Sequence, residues 1–181
     1  MQSVTQFSWY ALYTAPRAEK KVQQQLQLRG YQNYLPIQTR THLWSDRKKK
    51  VDVPVISSYV FIRCQPKDFM FVKSVPGVAA FLSLGSKPTP IDSKVIADLQ
   101  FMIANAEEQI EFTGENLAVG DRVEVIKGKL KGLTGELIER QGEYKFLIRL
   151  DKFGCVMASV SISCLRQLRV ENGELRVGCA I

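Results

Sequence analysis

The stretch Val119-Gly120-Asp121-Arg122-Val123-Glu124-Val125-Ile126-Lys127-Gly128-Lys129-Leu130-Lys131-Gly132-Leu133-Thr134-Gly135 can fold in few ways. Val123 and Val125 alternate with charged residues, the period of two that marks a half-buried strand. Gly128 and Gly132 bracket a short basic loop, Lys129-Leu130-Lys131, and Gly135 opens the next apolar run. Glycine takes positive φ without steric cost. The spacing therefore predicts a strand, a tightly turned basic loop and a second strand, the opening of a small β-barrel.

The residues that follow extend the barrel. Leu137-Ile138 reads as a short strand and Gly142 as a turn. Tyr144, Phe146, Ile148 and Leu150 alternate with Lys145, Leu147 and Arg149, making a third strand. Val156–Val160 and Leu165–Leu168 complete five strands. Asn172-Gly173 predicts a turn, and residues 171–181 form a tail or an added strand.

The first half reads differently. Ser8-Trp9-Tyr10-Ala11-Leu12-Tyr13 is an aromatic-rich strand, and Pro16 suits the first turn of a helix. Ala18, Val22 and Leu26 recur at helical spacing over 17–29, and Gly30 stops that helix. Arg17, Lys20 and Lys21 crowd its start, where the helix dipole favours acids. A broken local preference of that kind suits either a phosphate contact or an exposed, tolerated charge. A second strand runs over 31–37. Arg40, Arg47, Lys48, Lys49 and Lys50, with Asp46, Asp52, His42 and Trp44 between them, fit a hairpin whose tip meets nucleic acid or solvent. Residues 55–63 form a nearly continuous apolar run, as a central strand covered on both faces would. A short helix over 66–73, a Pro76-Gly77 turn and a strand over 78–82 follow. After a loop over 85–90, Asp92 is an N-cap for an amphipathic helix carrying Val95, Leu99, Met102, Ile103, Ala106 and Ile110. The order implies an α+β layer, a mainly antiparallel sheet with packed helices, in a domain over 1–110. An acidic linker spans 111–118, and the all-β domain spans 119–170.

Charge is uneven. Residues 1–90 carry 13 Lys and Arg against 4 Asp and Glu, a net of +9, while residues 91–181 carry 12 against 14, a net of −2. The basic half suits a polyanionic partner as well as solubility. Four cysteines (Cys64, Cys155, Cys164, Cys179) without C-x-x-C spacing, and one histidine, provide no zinc ligand set. They read as reduced thiols of a cytoplasmic protein. No run suits a signal peptide or a bilayer span. An enzyme would need convergent titratable groups, and Gly128 to Gly135 lacks the Lys-Ser/Thr ending of a phosphate loop. The expectation is a non-enzyme without cofactor or metal.

The Gly120-to-Gly135 stretch resembles the KOW motif of ribosomal and transcription-elongation proteins. It has Gly-Lys-Leu-Lys-Gly where the motif usually has Gly-Pro-Phe-x-Gly, and Leu130 keeps the apolar position. Trp9–Tyr13, Ser58-Tyr59-Val60-Phe61-Ile62-Arg63, Val75-Pro76-Gly77-Val78-Ala79-Ala80-Phe81-Leu82 and Pro88-Thr89-Pro90-Ile91 resemble the NGN domain of NusG-type elongation factors. The resemblance runs from Trp9 to Leu168. The details resemble the specialised paralogues of the RfaH, LoaP and UpxY types, and Tyr-Val-Phe-Ile-Arg and Trp-Ser-Asp-Arg-Lys-Lys are similar to the UpxY/LoaP kind.

That resemblance implies a monomer that binds the β′ clamp helices of RNA polymerase through an apolar depression, suppresses pausing and promotes antitermination at selected long operons. Tyr13, Tyr59, Phe61 and Phe81 match positions of the depression. Tyr13, Tyr59 and Phe61 suit the interface, and Phe81 suits the core. Arg17, Lys20 and Lys21 match the region where specialised paralogues touch DNA, beside the non-template strand at the upstream fork. Arg47 to Lys50 lie in the family's variable hairpin, where the resemblance implies contact with DNA or with polymerase. The KOW domain, with its loop of Gly128, Lys129, Leu130, Lys131, Gly132 and Gly135, would recruit Rho or a small-subunit ribosomal protein. Its glycines and the alternation over 144–150 favour strands over the helical refolding known in RfaH. A housekeeping NusG-like factor and a ribosome-associated RNA-binding protein are the alternatives. The aromatic strand pair ahead of the KOW stretch separates the second of these, since a pure RNA binder has no use for an apolar docking face.

Overall fold

The computed structural model describes residues 6–43, 48–114, 119–140, 142–150, 154–171 and 174–180. The chain divides into two compact units, Met1–Ile96 and Ala97–Ile181.

In the first unit, β1 (Ser8–Thr14), α1 (Glu19–Leu28), β2 (Gln32–Tyr34), β3 (Ile37–Leu43), β4 (Lys48–Pro54) and β5 (Tyr59–Cys64) follow in order. A 3-10 turn at Pro66–Asp68 leads to α2 (Phe69–Lys73), β6 (Val78–Phe81), β7 (Ser83–Leu84), β8 (Lys87–Pro88) and the first residues of α3 (Ser93–Asn105). The main sheet has the order β2-β5-β1-β6 and is antiparallel. β3 and β4 form a separate hairpin in full register from Ile37↔Pro54 to Leu43↔Lys48.

One sheet face builds the core. Tyr10 and Leu12 of β1 and Val60, Ile62 and Cys64 of β5 pack with Val22 and Leu26 of α1, Val72 of α2, and Phe81. Val22 and Leu26 lie four residues apart, on one stripe of the helix. Residues of the other face, Trp9, Ala11 and Phe61, are buried as well. A strand buried on both sides explains the unbroken apolar run at β5.

Three local expectations are corrected. The helix begins at Glu19, not Arg17, because Arg17 adopts a left-handed φ of 63° in the turn after β1, a conformation that cannot start a right-handed helix. Pro16 sits in that turn too. The central strand begins at Tyr59, because Ser58 also takes φ 63° and breaks the run. Within the expected 85–90 loop, Lys87–Pro88 form β8 and pair with Ser83–Leu84 of β7 just ahead of it. Asp92 does cap α3, its Oδ1 accepting the Lys94 N–H at 2.8 Å.

The second unit is an antiparallel sheet of seven strands: β9 (Glu111–Thr113), β10 (Asp121–Val125), β11 (Thr134–Arg140), β12 (Glu143–Arg149), β13 (Cys155–Ser159), β14 (Leu165–Glu171) and β15 (Glu174–Ala180). Their order is β15-β14-β10-β11-β12-β13-β9. The five expected strands are the five inner ones. Two more flank them. Residues 111–113, expected as linker, pair Thr113↔Cys155 and Glu111↔Met157, and residues 174–180, expected as a tail or an added strand, pair with β14 as a strand. Residues 115–118 of the expected linker and the Asn172-Gly173 turn lie outside the described residues. The compact units meet inside α3 rather than at residue 110.

β12 departs from simple alternation. Phe146 and Ile148 are buried as expected, but so is Leu147, which packs with Cys155, Met157 and Ile138 on the opposite face. Glu136 closes this sheet electrostatically. Its two oxygens accept Arg149 Nε at 2.7 Å and Nη2 at 2.8 Å, and Oε2 also accepts the Gly120 N–H at 3.0 Å. Burial alone raises the Glu136 carboxyl. The Arg149 bonds and the Gly120 N–H outweigh that and hold it below its ordinary value.

Candidate functional site

The β1–β5 register puts Tyr13 opposite Tyr59 at one end of the sheet. Their rings stand 5.4 Å apart at 63°, an edge-to-face pair. Tyr13 is 44% exposed and Tyr59 half-buried. Burial, with Tyr13 adding, raises the Tyr59 hydroxyl above its ordinary value. The two residues form an amphipathic aromatic corner suited to a partner's apolar surface.

Phe61 does not join that surface. It is fully buried, and its ring lies against Tyr34 of β2, with centroids 6.4 Å apart and planes 23° from parallel. Alternation does place Phe61 on the face of Tyr59, but two residues further into the sheet, where coverage is complete. Burial pushes the Tyr34 hydroxyl up to about 12. Phe81 is core as expected, in an aromatic cluster with Tyr10 at 5.9 Å and Phe69 at 4.6 Å.

The turn carrying Arg17 lies beside the aromatic corner in sequence and is pinned by Ala15 N–H to the Gly77 carbonyl at 2.9 Å. Arg17, Lys20 and Lys21 are exposed. Lys20 donates to the Asp52 carbonyl of β4 at 3.1 Å, so it ties α1 to the hairpin. Lys49 and Lys50 stand exposed on β4 opposite His42 and Thr41. Lys48 lies on the same strand, while Arg47 and Trp44 lie outside the described residues.

Sequence reasoning missed Glu19. It places an acid in the first turn of α1, where the helix dipole favours one. It is also buried, and its Oε1 accepts the Ser58 N–H at 2.7 Å, fixing the bend immediately before Tyr59. The only local sign was an acid one residue before two lysines; its partner 39 positions away was not visible.

In the second unit the glycine-bracketed loop is as expected. Gly128 and Gly132 have φ of 82° and 94°. Gly132 N–H donates to the Val125 carbonyl at 2.8 Å and Leu133 N–H to the Leu130 carbonyl at 3.1 Å. Leu130 and Leu133 are buried anchors, which leaves Lys129 and Lys131 exposed on the loop. Lys129 pairs with Glu107 at 3.3 Å in a well-solvated ion pair. Gly135 is required by contact rather than φ: a Cβ there would meet the Phe146 ring at 2.7 Å and the Leu147 carbonyl.

This arrangement offers binding surfaces. Among the described residues, no three of His, Cys, Asp and Glu gather where they could hold a metal ion, and no helix is long and apolar enough to cross a membrane.

The model of a protein family described as "Transcription termination factor nusG" matches residues 7–100, more than half of the chain and the span from β1 into α3. The chain belongs to the NusG family. NusG-family proteins are transcription termination and antitermination factors. The transcription termination/antitermination protein NusG of Staphylococcus carnosus is 25% identical over 161 residues, covering 81% of this chain and 87% of that protein. That of Lactococcus lactis is 26% identical over 160 residues, covering 81% and 84%. A solved structure of Thermotoga maritima NusG, described by its domain interaction, superposes with a TM-score of 0.51 at 20% identity over 88% of this chain and 96% of that one. That likeness is one of fold: an α+β NusG-type unit followed by an all-β unit.

Proposed function

We propose that this NusG-family chain binds RNA polymerase during elongation, suppresses pausing and promotes antitermination. The observation that carries the reading is the Tyr13–Tyr59 corner, an aromatic pair held at the strand ends with Tyr13 44% exposed. Tyrosines bury large area with few rotors to freeze, which suits a docking anchor. The occupant is the pair of β′ clamp helices. A partner that binds one polymerase conformer better shifts the population away from the paused one.

Arg17, Lys20, Lys21 and the hairpin lysines then face non-template DNA, where phosphate contacts give salt-dependent affinity with little sequence information. The second unit, through its Gly128–Gly132 loop and neighbouring strands, takes a second protein partner, Rho or a small-subunit ribosomal protein. The chain acts as a cytoplasmic monomer. The run Tyr59-Val60-Phe61-Ile62-Arg63 supports service to selected long operons rather than a housekeeping role.

The test is pull-down of purified core polymerase by the wild type and by a Tyr13→Ala/Tyr59→Ala variant of unchanged fold. Binding by the first and not the second is expected. Equal binding by both removes the corner from the interface. A factor that alters read-through of every operon alike is the housekeeping kind.

A further inference from the structure

A groove of about 520 Å³ opens at the other end of the first unit's sheet, lined by Phe7, Arg29, Tyr31, Gln32, Arg63 and Lys67. We propose that it binds single-stranded nucleic acid, taking the base of one nucleotide against its aromatic wall and the adjoining phosphates on its cations. The reading does not depend on the polymerase dock.

The groove is distinct in place from the basic turn discussed above. Arg63 pairs with Trp9 and Gln32, whereas Tyr59 pairs with Tyr13. Four residues of extended β5 separate Arg63 from Tyr59, roughly 13 Å at the rise of an antiparallel strand. Lys20 and Lys21 stand at the start of α1 and Arg29 just beyond its end, also on the order of 13 Å by helical rise.

Its chemistry is that of a strand-binding platform. Phe7 is 53% exposed just before β1, and Tyr31 is half-buried just after α1. An exposed ring beside cations is what base stacking and a phosphate backbone require; Phe7 provides it, while Tyr31 is packed in part against the core. Arg29, Arg63 and Lys67 are all exposed. Arg63 is steadied by one bond, from Nη1 to Gln32 Oε1 at 3.3 Å, and Arg29 Nη1 is held by the Gln25 carbonyl and side-chain oxygens at 3.1 and 2.9 Å. A guanidinium has five donors, so both retain N–H groups for phosphate. The opposing charges are accounted for. Asp68 also lines the groove, and its Oδ2 accepts the Gln65 N–H at 3.0 Å. At the carbonyl end of α1, Gln27 accepts the Gly30 N–H and Leu26 the Tyr31 N–H. Three cations against one acid leave the groove positive.

The experiment is fluorescence anisotropy of the full chain with labelled U12 and dT12 over a salt series. Alongside the wild type run Arg63→Ala/Lys67→Ala, Phe7→Ala and Lys20→Ala/Lys21→Ala, each with its melting temperature measured. Loss of two phosphate contacts is expected to weaken binding about tenfold or more and to lower the log–log salt slope by roughly 1.4. Phe7→Ala weakens it about tenfold with the slope unchanged. Four-thiouridine crosslinks are expected at Phe7 or Tyr31. Competition by ATP at matched nucleotide concentration keeps the same base-and-phosphate chemistry and assigns it to a free nucleotide. Affinity of Arg63→Ala/Lys67→Ala within twofold of wild type, with crosslinks confined to residues 17–21 and 48–50 and none at Phe7 or Tyr31, overturns the proposal.

Discussion

The buried carboxylate of Glu19 and the backbone of Ser58 meet at 2.7 Å, although 39 residues separate them. Ser58 stands at φ 63°, and its carbonyl accepts the Thr14 N–H at 2.8 Å. One side chain in the first turn of α1 thus holds the bend that delivers Tyr59 to its place opposite Tyr13.

Glu19→Ala leaves the Ser58 N–H without its acceptor, so a loss of about 1–3 kcal/mol is expected in urea denaturation. Ser58→Gly acts in the opposite direction by relieving the left-handed backbone, whose cost for a non-glycine residue is about 1 kcal/mol. A Glu19→Ala chain as stable as wild type would show that the bend is held by other contacts.

Phe61 and Tyr59 separate stability from docking. Phe61→Ala empties a fully buried site and should cost about 3–5 kcal/mol. Tyr59→Ala should cost far less in the same denaturation series and lose polymerase binding instead. Equal stability losses would place both residues in the core.

The pH dependence of the second unit should reveal Glu136. Its folded carboxyl lies below the ordinary value near 4.3. A depressed carboxyl contributes stability that is fully present above the unfolded value and is lost as pH falls through the folded one. Glu136→Gln is therefore expected to be destabilised at pH 7 by about 1–2 kcal/mol, with the gap to wild type closing below about pH 4. A gap of constant size down to pH 3 would assign the effect to packing.

Cys64 should be silent toward thiol reagents. Burial first, and then the Asp68 charge, push its thiol up to about 12. The thiolate is the reactive form. Native protein treated with iodoacetamide at pH 8 is expected to show no label at Cys64 by mass spectrometry, with labelling after denaturation. Fast native labelling would show that the strand opens.

What was legible in the sequence was what local chemistry dictates. The Gly128–Gly132 loop, the Asp92 cap and the alternation of β10 were all readable, because each depends on residues a few positions apart. The two starts that moved, α1 to Glu19 and β5 to Tyr59, moved because non-glycine residues at 17 and 58 take positive φ. Tertiary contacts hold Ser58 there, and no local rule marks it. Phe61 was misplaced for a related reason. Alternation identifies the face of a strand but not how far along the strand that face stays covered. The groove was missed because Phe7, Arg29 and the Arg63–Lys67 stretch come from three segments far apart in sequence, brought together by the fold.

The pairing of Glu111–Thr113 with β13 has a practical consequence for dissecting the molecule. A fragment begun at residue 116, where an acidic spacer seemed to offer a clean cut, would discard an edge strand. It would uncover the hydrogen-bonding rim of Cys155-Val156-Met157, a run with little charge to deter a neighbouring chain. Such a fragment invites self-association through that rim, whereas one that starts ahead of Glu111 keeps its own guard strand.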